Sequence, residues 1–378
     1  MMRIAAILLL CAGMCGVVVP RHAAAQELTP DTVTTMKARV VKVLAQERYT
    51  VPGVGIDSTY QTLQVEVLDG PEKGAYVTVE YDMLQLEEGD VFFLRHTVNH
   101  LDATDYYAVM EPYRLPALGI LSLLFVIVVV AFGGWQGARG LLSLVASIGF
   151  IVFLLLPGIL KGYPPIALSA GVASLMVVIG SYITHGFNRT THVAVAGMMI
   201  TVIATAVLAY VAIPFAQLTG FHTEEATYLN IDTRGAIDLA GLLIGAIIIG
   251  ALGVLYDAAI AQAVAVEEIS AAGPDLSKRH VYRRALRVGR THIGALVDTL
   301  AIAYVGASLP LLLLFTGFGG DSLLMSLNRE LFATELVRTI IGSIGIILAV
   351  PVTTAIAAYF LVDHARRHGV ESSHGHRH

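Results

Sequence analysis

The chain has 378 residues, 56% of them apolar and only 14% charged, and its mean hydropathy is +0.71. Soluble domains run at about 45 to 50% apolar and about 25% charged, so these figures exclude a water-soluble globular protein and imply one built into a membrane. A formal net charge of -5 argues against a nucleic-acid partner, and the two cysteines, Cys11 and Cys15, lie too near the N-terminus to supply a disulfide framework, a thiolate metal site or a nucleophile to a processed chain.

Residues 1–25 begin with Arg3, run apolar from Ile4 to Val19 and end in Ala23, Ala24 and Ala25 before Gln26. This is the pattern of a secretory signal peptide. The apolar run is also near the lower limit for spanning, so an uncleaved first helix is the alternative; either way residue 26 emerges on the far side of the membrane.

Residues 26–114 carry 15 acidic and 7 basic side chains, and strand patterns occur at 36–44, 60–68, 75–81, 91–98 and 106–111. Leu63, Val65 and Val67 alternate with polar residues as on a half-buried strand. Asp69-Gly70-Pro71-Glu72-Lys73-Gly74 and Glu88-Gly89-Asp90 supply the turns. Five short strands predict a small extracytoplasmic all-β domain, OB-like in the first instance. Its acidity and lack of clustered exposed aromatics favour a structural cap or a docking module for an envelope protein partner over nucleic-acid binding.

Beyond Leu115, seven windows are apolar enough to span: 115–134, 141–159, 164–184, 193–216, 239–264, 293–316 and 339–362. The expected fold is therefore a polytopic α-helical membrane bundle of seven spans behind the β domain, ending in a His-rich cytoplasmic tail at 363–378. With the β domain outside, the inner loops hold Arg139, Arg189, the Lys278–Arg290 cluster and the tail arginines, and the outer loops only Lys161, Arg234, Arg329 and Arg338. That distribution obeys the positive-inside rule. Gly241, Gly245, Gly250 and Gly253 allow close helix approach to the fifth span, which should be central. Pro310 and Pro351 mark packing irregularities.

Pro274 and Asp275 open a further helix bearing Lys278, Arg279, Arg283, Arg284, Arg287 and Arg290 with sparse apolar anchors at Leu276, Val281 and Val288. This predicts a helix lying on anionic headgroups at the inner surface of the bilayer, or a docking face for a cytosolic partner.

Within the seven windows the only acidic or basic side chains are Asp257 and Asp298. An acid at the centre of a spanning helix costs about 2.5 to 3.5 kcal/mol on insertion scales, so such residues face the bundle interior and mark function. Asp257 precedes the inner end of its span by about 10 Å and Asp298 follows the inner start of its own by about 7 Å, at ~1.5 Å per residue. On adjoining helices the two carboxylates would share a proton or grip a cation. Alternatively each is a protonated tether bonded to a hydroxyl such as Thr201, Thr205 or Tyr304. Glu267 and Glu268 lie below Asp257 as a proton relay or as a membrane-exit cap.

The tail histidines His364, His368, His374, His376 and His378 and the outer-loop group His222, Glu224, Glu225 and Asp232 have ligand chemistry but no zinc spacing, so no metal or other cofactor is expected. No Walker loop, dinucleotide fingerprint, HExxH or GxSxG occurs, and no enzymatic activity is expected.

Arg139-Gly140-Leu141-Leu142-Ser143, the stretch Ile248–Asp257 and Tyr282–Arg290 leading to Asp298 together resemble the YibE/F-like family of bacterial membrane proteins over residues 115–362. The resemblance implies a multi-spanning architecture and no particular reaction. The Gly-rich Asp257 helix is also similar to the proton-conducting helices of resistance-nodulation and SecD/SecF-like transporters, although this chain has no duplicated half and a far smaller outer domain. A proton- or cation-coupled secondary transporter, or an accessory subunit of one, is the function these residues imply; a membrane scaffold holding envelope partners is the alternative.

Overall fold

The computed structural model describes residues 32–50, 55, 57–99, 104–318 and 323–374. The expected signal segment therefore lies outside the described residues. The chain divides into two compact units, Met1–Leu124 and Phe125–His378.

The first unit holds one antiparallel sheet of five strands that curls into a half-barrel: β1 (Thr32–Thr50), β2 (Asp57–Val67), β3 (Tyr76–Tyr81), β4 (Val91–Val98) and β5 (Asp105–Pro112), in the order β3-β2-β1-β4-β5. The long β1 serves two partners, pairing with β4 over Thr32–Arg39 and with β2 over Ala38–Thr50. Register irregularities between Val40 and Lys42 and between Val43 and Ala45 bend it. Edge strands β3 and β5 lie close together. Alternation sorts the faces: Met36, Ala38, Val40, Leu63, Val65, Val67, Phe92 and Leu94 are all buried in one core. Gln61, itself buried, closes one end by donating to the Leu86 carbonyl (3.0 Å) and accepting from the Leu86 N–H (2.8 Å).

Gly70 occupies the left-handed region at φ 84°, and a Cβ there would stand 2.8 Å from Met36 Cγ. The turn expected at Asp69–Gly74 thus needs glycine for both its backbone and its neighbour.

Beyond the sheet the chain is helical. In chain order it contains α1 (Leu115–Leu160), α2 (Pro165–His185), α3 (Arg189–Phe215), α4 (Glu224–Asp232), α5 (Leu239–Ala272), α6 (Lys278–Ala307), α7 (Leu309–Phe318), α8 (Leu323–Leu327) and α9 (Glu330–His374). Among the described residues, five helices are long and apolar enough to cross a membrane: α1, α2, α3, α5 and α9. The expected windows 115–134 and 141–159 both fall within α1, and the window 293–316 is divided at Ser308 between α6 and α7. Pro310 sits at the second residue of α7, where its missing N–H costs nothing. Side-chain caps start the elements: Asn188 accepts from the Thr191 N–H at 2.7 Å, and Asp238 from the Gly241 N–H at 2.9 Å.

The α5 helix is central, packed on α2, α3, α6 and α9. Its buried residues, among them Ile247, Ile248, Ala251 and Leu255, join Met198 and Val202 of α3 and Ile341 and Ile346 of α9 in the main core. Between Leu115 and Phe150 no residue is buried, and most of the exposed surface is Leu, Ile, Val and Phe. Apolar surface on that scale is stable in hydrocarbon rather than in water, and marks a membrane protein.

Candidate functional site

Asp257 stands on α5 in a narrow exposed stripe formed by Ala246, Gly250, Gly253, Asp257, Ala261 and Val264. Their spacing of three and four residues is that of one helix face. Small side chains leave this face bare, and around the position of a Gly253 Cβ there is open space to 4 Å. A titratable neighbour of Asp257 is His185, in the last turn of α2. The His185 ring also lies 5.9 Å from that of Tyr256.

Beside this group, a cleft of about 440 Å³ opens between α1, α2 and α5. Ser143, Ser147, Thr184 and Tyr256 line it among apolar residues. The Tyr256 hydroxyl faces the Ser181 and Thr184 hydroxyls, yet Tyr256 Oη and Ser181 Oγ are both buried without a well-formed hydrogen bond among the described residues. Gln136 ties α1 to α2 by donating to the Thr184 carbonyl at 2.9 Å.

Asp298 lies on α6, which runs antiparallel beside α5. Gly250 is adjacent to Tyr304 and Gly289 to Gln262, a register that sets Asp298 level with Asp257. Both acids are exposed. Asp298 is two residues, roughly 200° of helical turn, from the buried Leu300, which puts it on the side of α6 away from the core. Among the described residues no hydrogen bond or ion pair joins the two. Glu267 and Glu268 are exposed in the last turns of α5, about 15 Å along the helix from Asp257.

The basic segment differs from expectation in its start and continuity. Its N-cap is Ser277, which accepts from the His280 N–H at 3.4 Å, and the helix runs unbroken through Asp298 to Ala307. Val281, Ala285 and Gly289 recur every four residues as its buried face against the bundle. Arg283, Arg284, Arg287 and Arg290 point outward, while Lys278 pairs with Asp363 at 2.7 Å and lies 4.3 Å over the Tyr359 ring. Hydropathy alone separated the basic run from the apolar one, whereas the four-residue period shows a single helix.

Two features escaped the sequence reading. One is His185 as a neighbour of Tyr256 and Asp257; it directly follows the apolar window 164–184. The other is an ion pair at the start of α9, Arg338 Nη1 to Glu335 Oε1 at 3.0 Å, with both side chains largely buried. Hydropathy places Arg338 in an outer loop, but the i,i+3 spacing with Glu335 is a helical signal. In the α4 loop, the Glu225 carboxyl is held below the usual range by its own backbone N–H and by the Thr223 hydroxyl. Thr223 also caps α4 by accepting from the Ala226 N–H. Among the described residues no three His, Cys, Asp or Glu side chains converge as metal ligands; the tail histidines lie outside the described side chains.

The sequence model of a family described as YibE/F-like protein matches residues 121–363. No curated protein and no solved structure shows a significant match.

Proposed function

The chain belongs to the YibE/F-like family, and from that premise we propose that it is a proton- or cation-coupled secondary transporter of the bacterial inner membrane, or an accessory subunit of one. The observation that carries this reading is Asp257, a carboxylate within a long apolar helix, on a stripe of mostly small residues, near His185 and flanked by a hydroxyl-lined cleft. Asp298, level with it on the neighbouring helix, is the second coupling residue. Glu267 and Glu268 continue toward the inner surface as the relay. We assign the chain no enzymatic reaction and no cofactor.

The proposed topology has seven spans with the β domain outside and the C-terminus inside. Leu115–Leu160 is far too long for one crossing, since ~30 Å of hydrocarbon takes about 20 residues. Gly134 leaves helical geometry at φ 54° and ψ -141°, and Gly137 comes back against the Val129 carbonyl. Two spans joined by a tight reversal account for both facts. For the β domain, a first strand shared by β2 and β4, with β3 close to β5, supports an OB-like barrel.

Reconstitution with a pH-sensitive dye inside liposomes tests the function. We expect proton movement in the wild type that Asp257→Asn or Asp298→Asn abolishes. Unchanged flux in both variants rejects the reading. A scaffold that docks envelope partners is the second reading, favoured by Val41, Leu44 and Tyr49 exposed on the β1 arm. It predicts partners that co-purify with the full chain and are lost when residues 26–114 are deleted.

A further inference from the structure

At the start of α3 a groove of about 430 Å³ lies between that helix and α9. Arg189, His192, Val193 and Ala196 form its α3 wall, and Ile356 and Phe360 face them from α9. The spacing of three, four and seven residues from Arg189 puts the first wall on a single helix face, as the spacing of four does for the second. The groove is therefore charged at one end and apolar for about 10 Å beyond, at ~1.5 Å per residue from Arg189 to Ala196. It closes just past Ala196 and Ile356, where Gly197 meets Thr353 too closely for a Cβ.

The charged end has no acid to answer it. Among the described residues Arg189 enters no ion pair, and Asp363, the acid that follows the groove on α9, is held by Lys278 at 2.7 Å. Tyr182 Oη lies 2.9 Å from His192 Nδ1. With the phenol donating, the imidazole carries its proton on Nε2, and that nitrogen becomes a donor to an outside group. The Tyr182 ring stacks on the exposed Phe187 with centroids 4.4 Å apart. On α9 the exposed Tyr359 packs edge-on against Phe360 at 5.0 Å. Tyrosines gathered at one end of a bundle mark headgroup depth.

We propose that this groove binds an anionic phospholipid, with the phosphate at Arg189 and His192 Nε2 and an acyl chain laid between α3 and α9 as far as the contact of Gly197 with Thr353. Basic pockets between spanning helices take acidic headgroups, and a guanidinium meets phosphate through paired N–H donors. The walls select the ligand. A free phosphate would leave the apolar part of the groove uncovered, and a zwitterionic lipid brings a second charge, a cation, for which the lining supplies no carboxylate. The site is separate from the outward arginines of α6, since Arg283, Arg284, Arg287 and Arg290 do not border it. It goes beyond the transporter reading and needs none of it: the bound lipid joins the first turns of α3 to the later turns of α9 whether or not the chain moves protons.

Photo-crosslinking tests the assignment. The full chain is reconstituted in phosphatidylcholine vesicles containing a trace of either phosphatidylglycerol or phosphatidylcholine that carries a diazirine on one acyl chain, and the labelled residues are identified by mass spectrometry. In the wild type we expect the phosphatidylglycerol probe to label Val193, Ala196, Ile356 and Phe360 at least about fivefold more than the phosphatidylcholine probe, the worth of one basic side chain at an anionic surface. At Ile203 and Val207, exposed further along α3, the two probes should label alike. Arg189→Gln should bring the groove down to the phosphatidylcholine level and leave Ile203 and Val207 as they were, which shows that the variant is inserted and folded. Equal labelling of the groove by the two probes in the wild type overturns the proposal without any variant. A preference that survives in Arg189→Gln overturns the headgroup assignment. Loss of the preference in inorganic phosphate, but not in chloride of the same ionic strength, would make the occupant a free anion and overturns the lipid.

Discussion

In the β domain, His96 of β4 places Nδ1 3.2 Å from Glu72 Oε1 and Nε2 3.2 Å from Asp105 Oδ1. Its ring stacks on Tyr107 with centroids 4.6 Å apart, and the Tyr107 hydroxyl donates to Glu72 at 2.8 Å. Four side chains thus tie the β2–β3 turn to β4 and β5. Burial first, and then donation to the Glu72 carboxylate, push the Tyr107 phenol up to about 12. Because this value is raised, the stabilisation is complete below the ordinary tyrosine value near 10 and is lost as pH rises from there through about 12. The difference in phenolate absorbance between wild type and Tyr107→Phe should therefore show one group titrating close to 12. A difference titration centred near 10 would contradict this network. Nothing in the spacing of Glu72, His96, Asp105 and Tyr107 announces the network, since each comes from a different turn or strand position and only the sheet register gathers them.

At the level of elements, the bundle is drawn together where glycine meets threonine. Gly197 of α3 lies against Thr353 of α9, and Gly345 of α9 against Thr205 of α3, in both cases too closely for a Cβ. Thr201 and Thr205 donate their hydroxyls to carbonyls of the preceding turn of their own helix, and at the crossing the glycine backbones lie against the Thr205 and Thr353 side chains, hydroxyl oxygens nearest. This is a tethering role for the two threonines, and it does not involve Asp257 or Asp298. Gly345→Leu should cost about 1 to 3 kcal/mol through overpacking and lower the thermal midpoint of the detergent-solubilised chain. Gly171→Leu, which enters open space on α2, should stay within about 0.5 kcal/mol of wild type. Equal losses in the two variants would show that the crossing is not tightly packed. Strand positions were readable because alternation with period two survives in a small sheet. The continuity of α6 was not, because an averaged hydropathy changes sign midway along a helix whose buried face does not.

For the whole molecule, topology can be tested with single cysteines, since the natural ones are confined to Cys11 and Cys15. With those two replaced by serine, Tyr228→Cys on α4 should react with a membrane-impermeant maleimide in intact cells. Arg284→Cys on α6 should react only after permeabilisation. Both positions are exposed, so the reverse pattern would mean that the bundle is inverted relative to the arginine distribution.

Composition, hydropathy and residue type were enough to establish a membrane chain, an acidic five-stranded domain before it, a central Gly-rich helix and an isolated carboxylate at Asp257. These follow from transfer free energies and from the periods of strand and helix, which act along the chain and need no partner. Which groups face one another was decided only by tertiary packing. The antiparallel register of α5 and α6, the approach of His185 to Tyr256, and the Glu335–Arg338–Tyr304 group all depend on how helices far apart in sequence rotate about their axes. That rotation is set by the fit of glycines to side chains across several interfaces at once, a condition that no single segment contains.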